Sequence, residues 1–209
     1  MKKNTIPEDN LTNSIPEYPV RFWEIILIIM GAFGLLGSAV IGLGSKVIKN
    51  MFTPARAEAI AQSLFDYQIP GSAQGVVGVN FGAKKIAIIS SQNNPPDITL
   101  FVSKAPIEQI KEEDSLNLDI TLQEVYQGSF IVTSTKIENQ ELCGKSVPVS
   151  IQVGKHLLGE PSQPIDGIRY MAKITDNGVE RKVNIITNGE NAQEKAAKVF
   201  HSLECRFES

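Results

Sequence analysis

The sequence predicts an α+β protein in which a single N-terminal transmembrane helix precedes one domain with an antiparallel β-sheet flanked by helices. The first observation is a run of 20 residues without a charge, over 25–44. The second is helical periodicity at both ends of the chain that follows, with alternating strand patterns between those ends. The hydrophobic content of 42% and the charged content of 21% are ordinary for globular proteins, so residues 50–209 can bury one core.

Residues 1–20 form a polar tail. Pro7, Pro16 and Pro19 lie among Asn, Thr, Ser and Glu, so the segment has almost nothing apolar to bury. We expect this tail to be disordered.

The uncharged run from Ile25 to Gly44 reads IILIIMGAFGLLGSAVIGLG. At ~1.5 Å per residue a helix of this run measures ~30 Å, the thickness of the hydrocarbon core of a bilayer. Phe22 and Trp23 stand where interfacial aromatic residues occur. Residues 21–49 are therefore interpreted as a transmembrane anchor with the lipid bilayer as partner. The run is long for a cleaved signal peptide and lacks the polar face of a soluble helix, which are the two alternatives.

Small residues recur along the anchor. Gly34, Ser38 and Gly42 are four residues apart, so they share one helix face on which another backbone can approach closely. This face is a candidate packing surface for a homodimer or for a helix of a membrane protein complex.

The orientation of the anchor does not follow from charge, because basic residues are balanced at its two ends. They are Lys2, Lys3 and Arg21 before the run, and Lys46, Lys49 and Arg56 after it. A short tail before an anchor and a folded domain after it is the usual plan of a signal-anchored protein. We therefore expect a cytoplasmic N-terminus and an extracytoplasmic, periplasmic domain over residues 50–209.

A helix is predicted at the start of the domain, over residues 54–67. Thr53-Pro54 resembles a cap followed by a first-turn proline, and Pro70-Gly71 ends the apolar periodicity. Four glycines follow between residues 71 and 82, without the spacing of a dinucleotide or Walker loop. A turn and a glycine-interrupted edge strand fit this stretch better.

The middle of the domain changes to strand patterns. Residues 83–90 and 98–103 are β-branched runs separated by a proline-rich turn, which predicts a pair of strands. Residues 106–114 can open a short acidic helix. Residues 115–126 alternate like a strand but begin with a helix-capping signal, so both interpretations remain open.

The second half predicts four more strands and a final helix. The strands are residues 130–137, 147–153, 168–174 and 179–187, and Asp176-Asn177-Gly178 predicts a hairpin between the last two. Asn188 or Asn191 can cap a helix that reaches Leu203.

The chain contains two cysteines, Cys143 and Cys205, each beside a predicted element boundary. They are a disulfide candidate, since a widely spaced pair can close a stabilising loop in an oxidising compartment. Two reduced core thiols are the first alternative. A metal site is the second, because His201 lies one helical turn from Cys205 and His156 could complete the ligand set.

Two parts of the chain resemble PsbP/DcrB-like domains. The segment IDGIRYMAKITDNGVERKVNIITNGENAQEKAAKVFHSLEC is similar to their ending, in which a Gly-aromatic strand, a hairpin and a strand lead into a final helix. The segments FDYQIPGSAQG, AKKIAIISS and ITLFVSK resemble their opening turn and paired strands. The resemblance covers about half of the chain. It implies an antiparallel sheet flanked by helices, in a fold that often serves non-catalytic accessory roles in or beside membranes.

Recognisable catalytic motifs are absent from the sequence, which has no nucleophile elbow, no zinc-protease helix and no Walker loop. His156 is placed in an exposed loop and His201 in the last helix, and both are interpreted as solvated or capping residues. We expect no enzyme activity, no catalytic or metal-binding residue and no cofactor. A net charge of −3 offers no basic face for nucleic acid, and Lys84-Lys85 is interpreted as a solvated strand end.

These observations favour a membrane-anchored, non-catalytic accessory or interaction protein that presents an α+β surface outside the cytoplasm to a membrane protein complex. The alternative is a small-ligand-binding or weakly catalytic domain with a pocket at the sheet. That pocket is expected near four aromatic residues, namely Tyr67, Phe81, Tyr126 and Tyr170.

Overall fold

A computed structural model of the chain describes residues 51–108, 118–158 and 163–206. The tail, the uncharged run and the small-residue face of Gly34, Ser38 and Gly42 lie outside these residues. The larger part of the helix predicted over 106–114 lies outside them as well. Within the described residues, no helix has the length and apolarity needed to cross a bilayer.

The described residues form three helices and nine strands. The helices are α1 (Pro54–Leu64), α2 (Leu118–Gln127) and α3 (Ala192–His201). The strands are β1 (Phe65–Asp66), β2 (Ala73–Phe81), β3 (Lys84–Ser91), β4 (Ile98–Pro106), β5 (Ser129–Leu142), β6 (Lys145–Leu158), β7 (Gln163–Asp176), β8 (Val179–Asn188) and β9 (Glu204–Cys205).

Seven of these strands form one sheet, in the order β2-β3-β4-β8-β7-β6-β5. Every pair of neighbours for which a register is defined runs antiparallel. The two short strands β1 and β9 pair separately, with Phe65 opposite Cys205. An antiparallel sheet flanked by helices is therefore confirmed.

The sheet separates two apolar clusters, because successive side chains of a strand point to opposite faces. In β3, Ala87 and Ile89 belong to the larger cluster, whereas Ile86 and Ile88 belong to the smaller one. Helices α1 and α3 cover the larger cluster, and Leu122 of α2 joins the smaller one. We call the sheet surface on the α2 side the α2 face.

Two glycines of β2 make room for α1. A Cβ at Gly75 would lie 2.7 Å from the Ala57 Cβ, and a Cβ at Gly78 would lie 2.6 Å from the Ala57 Cα. The helix therefore rests directly on a strand at the sheet edge, as the predicted glycine-interrupted edge strand implies. The predicted helical span of 54–67 was too long, because α1 ends at Leu64 and the next two residues pair as β1.

Residues 118–127 are helical, which decides the segment left open by the sequence. Leu122 is buried in the smaller cluster, and Tyr126, one turn later, packs against the same cluster. A helix places such residues on one side.

Two hairpins of the second half, β5-β6 and β7-β8, close with two-residue turns in the left-handed region. Asn177 and Gly178 have φ values of 50° and 74°, as the Asn-Gly signal predicted. Cys143 and Gly144 have φ values of 56° and 72° between β5 and β6. These two strands each extend to 14 residues, well beyond the predicted 130–137 and 147–153.

Helix α3 is shorter than predicted, because it ends at His201 and does not reach Leu203. It begins at Ala192 after Asn191, whose side chain makes no capping hydrogen bond. Ala196, Val199 and Phe200 are buried against the sheet. The helix thereby closes the larger cluster.

Candidate functional site

An open groove lies on the α2 face of β6, β7 and β8, and we call it the apolar groove. Its volume is about 290 Å³. Its lining consists of Phe101, Gln123, Ile137, Pro148, Ser150, Met171, Ala172, Lys173, Lys182, Val183 and Asn184. Most of these residues are apolar, and the two charged ones are both lysines.

The apolar groove exists because α2 packs over the other half of this face. The residues of the smaller cluster come from β2, β3, β4 and α2. Ile137 of the edge strand β5 is 70% exposed at the groove. Large exposed apolar side chains that form a continuous patch with others commonly mark an interaction surface.

The lysines of the groove share one acidic neighbour. Lys182 Nζ lies 3.3 Å from Glu180 Oε1, and Lys173 Nζ lies 3.9 Å from Glu180 Oε2. The Glu180 carboxylate thus faces two ammonium groups. The rim of the groove is positive relative to its apolar floor.

A second cavity, of about 450 Å³, lies at the C-terminal end of α2. We call it the Arg169 pocket. Its lining consists of Gln123, Glu124, Gln127, Gly128, Ser129, Phe130, Arg169 and Ile186. Gln123 belongs to both the groove and this pocket, so the two cavities are neighbours.

Arg169 is held in this pocket by neutral amides. Its Nε donates a 3.0 Å hydrogen bond to Asn184 Oδ1, and its Nη2 donates one of 3.3 Å to Gln123 Oε1. Among the described residues, no carboxylate lies within ion-pair distance of this guanidinium. Burial lowers the pKa of Arg169 from its ordinary value, but an arginine stays charged at neutral pH.

The amides around Arg169 are fixed by one another. Asn184 Nδ2 donates to Gln123 Oε1 at 2.8 Å and to Gln127 Oε1 at 2.9 Å. Gln127 Nε2 in turn donates to the Asn184 carbonyl oxygen at 3.3 Å. Asn184 and Gln127 are almost fully buried. Satisfied buried networks of this kind hold their members in one arrangement.

The prediction that His156 lies in an exposed loop was wrong, because the residue is 1% exposed within β6. The capping part of the prediction is correct. Asn188 Nδ2 lies 3.1 Å from His156 Nδ1, and His156 Nε2 contacts the Gln127 carbonyl oxygen at the end of α2. Since the amide nitrogen donates, Nδ1 accepts, and the ring proton on Nε2 caps the helix.

The environment favours the neutral form of His156. Burial lowers the pKa of its imidazole, the hydrogen bond to the Gln127 carbonyl opposes this shift, and the charge of Arg169 adds to the lowering. Gly128 follows with φ +73°, and a Cβ there would collide with the Leu157 carbonyl oxygen and lie 3.2 Å from His156 Nε2. The end of α2 therefore fits closely against β6.

Cys143 and Cys205 lie at disulfide distance, with their Cα atoms 5.1 Å apart. Both line a third cavity, of about 530 Å³, together with His201. His156 lies on the other side of the sheet, so the four alternative metal ligands do not come together. Over residues 51–108, 118–158 and 163–206, no group of three or more metal-ligating side chains occurs.

The four aromatic residues expected around a pocket are scattered. Tyr170 is buried in the larger cluster and Tyr67 packs against it, whereas Tyr126 packs against the smaller cluster. Phe81 is 54% exposed. None of these residues lines the cavities described above.

The prediction of a solvated Lys84 was also wrong. This side chain is only 8% exposed, whereas Lys85 is half-buried. A long aliphatic stem can be covered by neighbouring side chains while its ammonium group reaches a partner.

No protein-family model matches this sequence. No curated protein matches it either.

Solved structures resemble the chain. One is a protein from Bacteroides thetaiotaomicron VPI-5482, at 10% identity and a TM-score of 0.38, covering 69% of this chain and 46% of that one. This chain therefore spans less than half of that neighbour's length. A second is cyanobacterial PsbP (CyanoP) from Synechocystis sp. PCC 6803, at 12% identity and a TM-score of 0.36, covering 69% of this chain and 94% of that one.

A third neighbour is LpqN, involved in cell envelope biogenesis of Mycobacterium tuberculosis. It has 11% identity and a TM-score of 0.32, and the match covers 71% of this chain and 95% of that one. A PsbP protein is among the neighbours, as the resemblance in the sequence predicted.

Proposed function

We propose that this protein is a membrane-anchored, non-catalytic accessory protein whose α+β domain lies outside the cytoplasm and binds a partner protein through the apolar groove. The observation that carries the proposal is the groove itself. It combines the highly exposed Ile137 with Pro148 and Met171 on an open sheet surface. Contiguous apolar surface of this kind is uncommon on monomeric proteins and marks interaction sites.

The chemistry of the groove specifies the partner. Its floor fits apolar side chains, and its rim carries Lys173 and Lys182, which share Glu180. An acidic residue on the partner would find a favourable potential at this rim. The proposed occupant is therefore a segment of a membrane protein complex that carries apolar side chains and a carboxylate.

Two further observations support the location. The uncharged run over 25–44 has the length of a membrane-spanning helix. Cys143 and Cys205 lie at disulfide distance, and such pairs persist in oxidising compartments. The proposed bilayer anchor and the extracytoplasmic domain agree with both.

The non-catalytic role is supported by the use of the histidines. Both ring nitrogens of His156 make hydrogen bonds that hold α2 and β8. His201 is exposed on α3, beside Phe200. Neither arrangement resembles a general base aimed at a nucleophile.

Native electrophoresis of complexes from gently solubilised membranes tests the proposal. The wild-type protein should migrate within a complex larger than itself, and Ile137→Asp should release it because the substitution places a charge in the groove. Val125→Asp is the matched control, since Val125 is 65% exposed on α2 outside the groove. Equal retention of both variants, or migration of the wild-type protein alone, would contradict partner binding through this surface.

A small-ligand-binding function is the second candidate. It is favoured by a separate observation, the convergence of Gln123, Gln127 and Arg169 on the cavity of about 450 Å³. Pockets that bind small molecules combine apolar walls with a few well-placed polar groups.

A further inference from the structure

We propose that the Arg169 pocket binds a small monocarboxylate with an apolar body, the carboxylate meeting the Arg169 guanidinium. The guanidinium is partly buried, and its hydrogen-bond acceptors are two neutral amides, Asn184 and Gln123. Among the described residues no carboxylate lies within ion-pair distance of it, so an anionic ligand would supply a direct ionic partner.

The direction of the guanidinium agrees with this inference. Its Nε and Nη2 make the two hydrogen bonds to protein, while Nη1 has no partner among the described residues. Arg169 also lines the open cavity. A planar guanidinium with free donors on one side matches the two oxygens of a carboxylate.

The site is pre-organised for such a ligand. Asn184 accepts a hydrogen bond from Arg169 and donates hydrogen bonds to both Gln123 and Gln127. The acceptor of the guanidinium is therefore itself fixed in position. The hydrogen bond from His156 fixes the end of α2 at Gln127, and Gln123 lies one helical turn earlier. A ligand would therefore lose little affinity to reorganisation of these side chains.

The walls of the pocket select the rest of the ligand. Phe130 and Ile186 offer apolar surface, and the tilted Phe130 ring lies 6.3 Å from the His156 ring, centroid to centroid. Glu124, exposed at the same cavity, adds one negative charge. One cation beside one carboxylate favours a singly charged ligand over a dianion such as phosphate.

Benzoate is the probe, and benzamide is its neutral counterpart of nearly the same shape. Titration of the full-length protein in nonionic detergent at fixed ionic strength, followed by calorimetry, should show saturable 1:1 binding of benzoate. Benzamide should bind at least about tenfold more weakly, because it cannot form the charge-assisted pair with Arg169. Inorganic phosphate should bind more weakly than benzoate.

Variants locate the site. Arg169→Gln should remove the preference for benzoate over benzamide, and Lys198→Gln should keep it, since Lys198 is exposed on α3 across the sheet. Glu124→Gln should strengthen benzoate binding by removing a like charge. If Arg169→Gln fails to fold, Arg169→Lys and Glu124→Gln decide the question, the first by weakening benzoate binding and the second by strengthening it.

Equal binding of benzoate and benzamide, no saturable binding of benzoate, or tighter binding of phosphate would overturn this inference. It does not depend on the partner-binding proposal, because Arg169→Gln leaves Ile137, Pro148 and Met171, the apolar residues that carry that proposal, unchanged. Loss of the membrane complex in Ile137→Asp with unchanged benzoate binding would separate the two.

Discussion

His156 connects the end of α2 to β8 through its two ring nitrogens. One nitrogen meets the Gln127 carbonyl oxygen and the other meets the Asn188 amide, which also donates to the Pro96 carbonyl at 2.9 Å. His156 therefore links α2 to β8 and, through Asn188, to the loop before β4, so we expect it to contribute to the free energy of unfolding. Its neutral form is the one that fits, because Nδ1 must accept a hydrogen bond.

The stability of the domain should therefore depend on pH through His156. Its pKa is lowered on folding, so the unfolded chain binds the proton more readily. This contribution is fully present above about pH 6.5 and is lost as pH falls toward and through the lower folded pKa. Denaturant unfolding between pH 8 and pH 5.5 should show the fall. His156→Gln should remove this slope and His201→Gln should retain it; an equal slope in both variants would contradict the account.

Gly128 tests the close approach of α2 to β6. Gly128→Ala adds a Cβ that collides with the Leu157 carbonyl oxygen, whereas Gly189→Ala has the same φ of +73° with nothing within 4 Å. In both variants the left-handed backbone conformation lowers the free energy of unfolding by about 1 kcal/mol. Only Gly128→Ala should lose clearly more in denaturant unfolding, by about 1–3 kcal/mol beyond the control. Similar losses in the two variants would mean that the contact is loose.

The residues around Arg169 could not be identified from the sequence. Arg169 lies at a polar position of an alternating strand, where an exposed charge is the ordinary interpretation. Its neighbour Asn184 comes from the adjacent strand, and Gln123 comes from a helix on the same face. Only the strand register and the placement of α2 bring these three together, and neither follows from local patterns.

At the scale of elements, local turn chemistry was informative. The Asn177-Gly178 hairpin and the edge strand with Gly75 and Gly78 could be predicted because glycine and asparagine adopt specific backbone conformations. The lengths of β5 and β6 could not be predicted. The added residues, 138–142 and 154–158, extend the ladder through backbone pairing and show no regular alternation of apolar and polar side chains.

Reduction of the cysteine pair should destabilise the domain. Cys143 and Cys205 are separated by 62 residues, and closing such a loop is worth about 4 kcal/mol in the chain-entropy model. For a domain of this size, a loss of that order lowers the melting temperature by roughly 10 °C. Thermal unfolding with and without reductant measures it, with the double variant Cys143→Ser/Cys205→Ser as control. A melting temperature that does not respond to reductant would contradict the disulfide. The support that the disulfide gives to an extracytoplasmic location would then be lost.

At the scale of the whole molecule, the uncharged run should determine where the protein is found. The full-length chain should remain in the membrane pellet after carbonate and high-salt washing, because a spanning helix is not displaced by either. A shortened chain that begins at Met51 should be recovered in solution with the circular dichroism of a folded α+β domain. Recovery of the full-length chain in the wash would exclude the anchor.

The central claim, partner binding through the apolar groove, is tested most directly by site-specific photo-crosslinking in native membranes. A crosslinker at Ile137 should give one adduct of defined mass with a membrane protein, and Met171→Glu should abolish it because the groove floor becomes charged. A crosslinker at Val125, which is similarly exposed but lies outside the groove, should not give this adduct. The same adduct from both positions, or none from Ile137, would contradict the account.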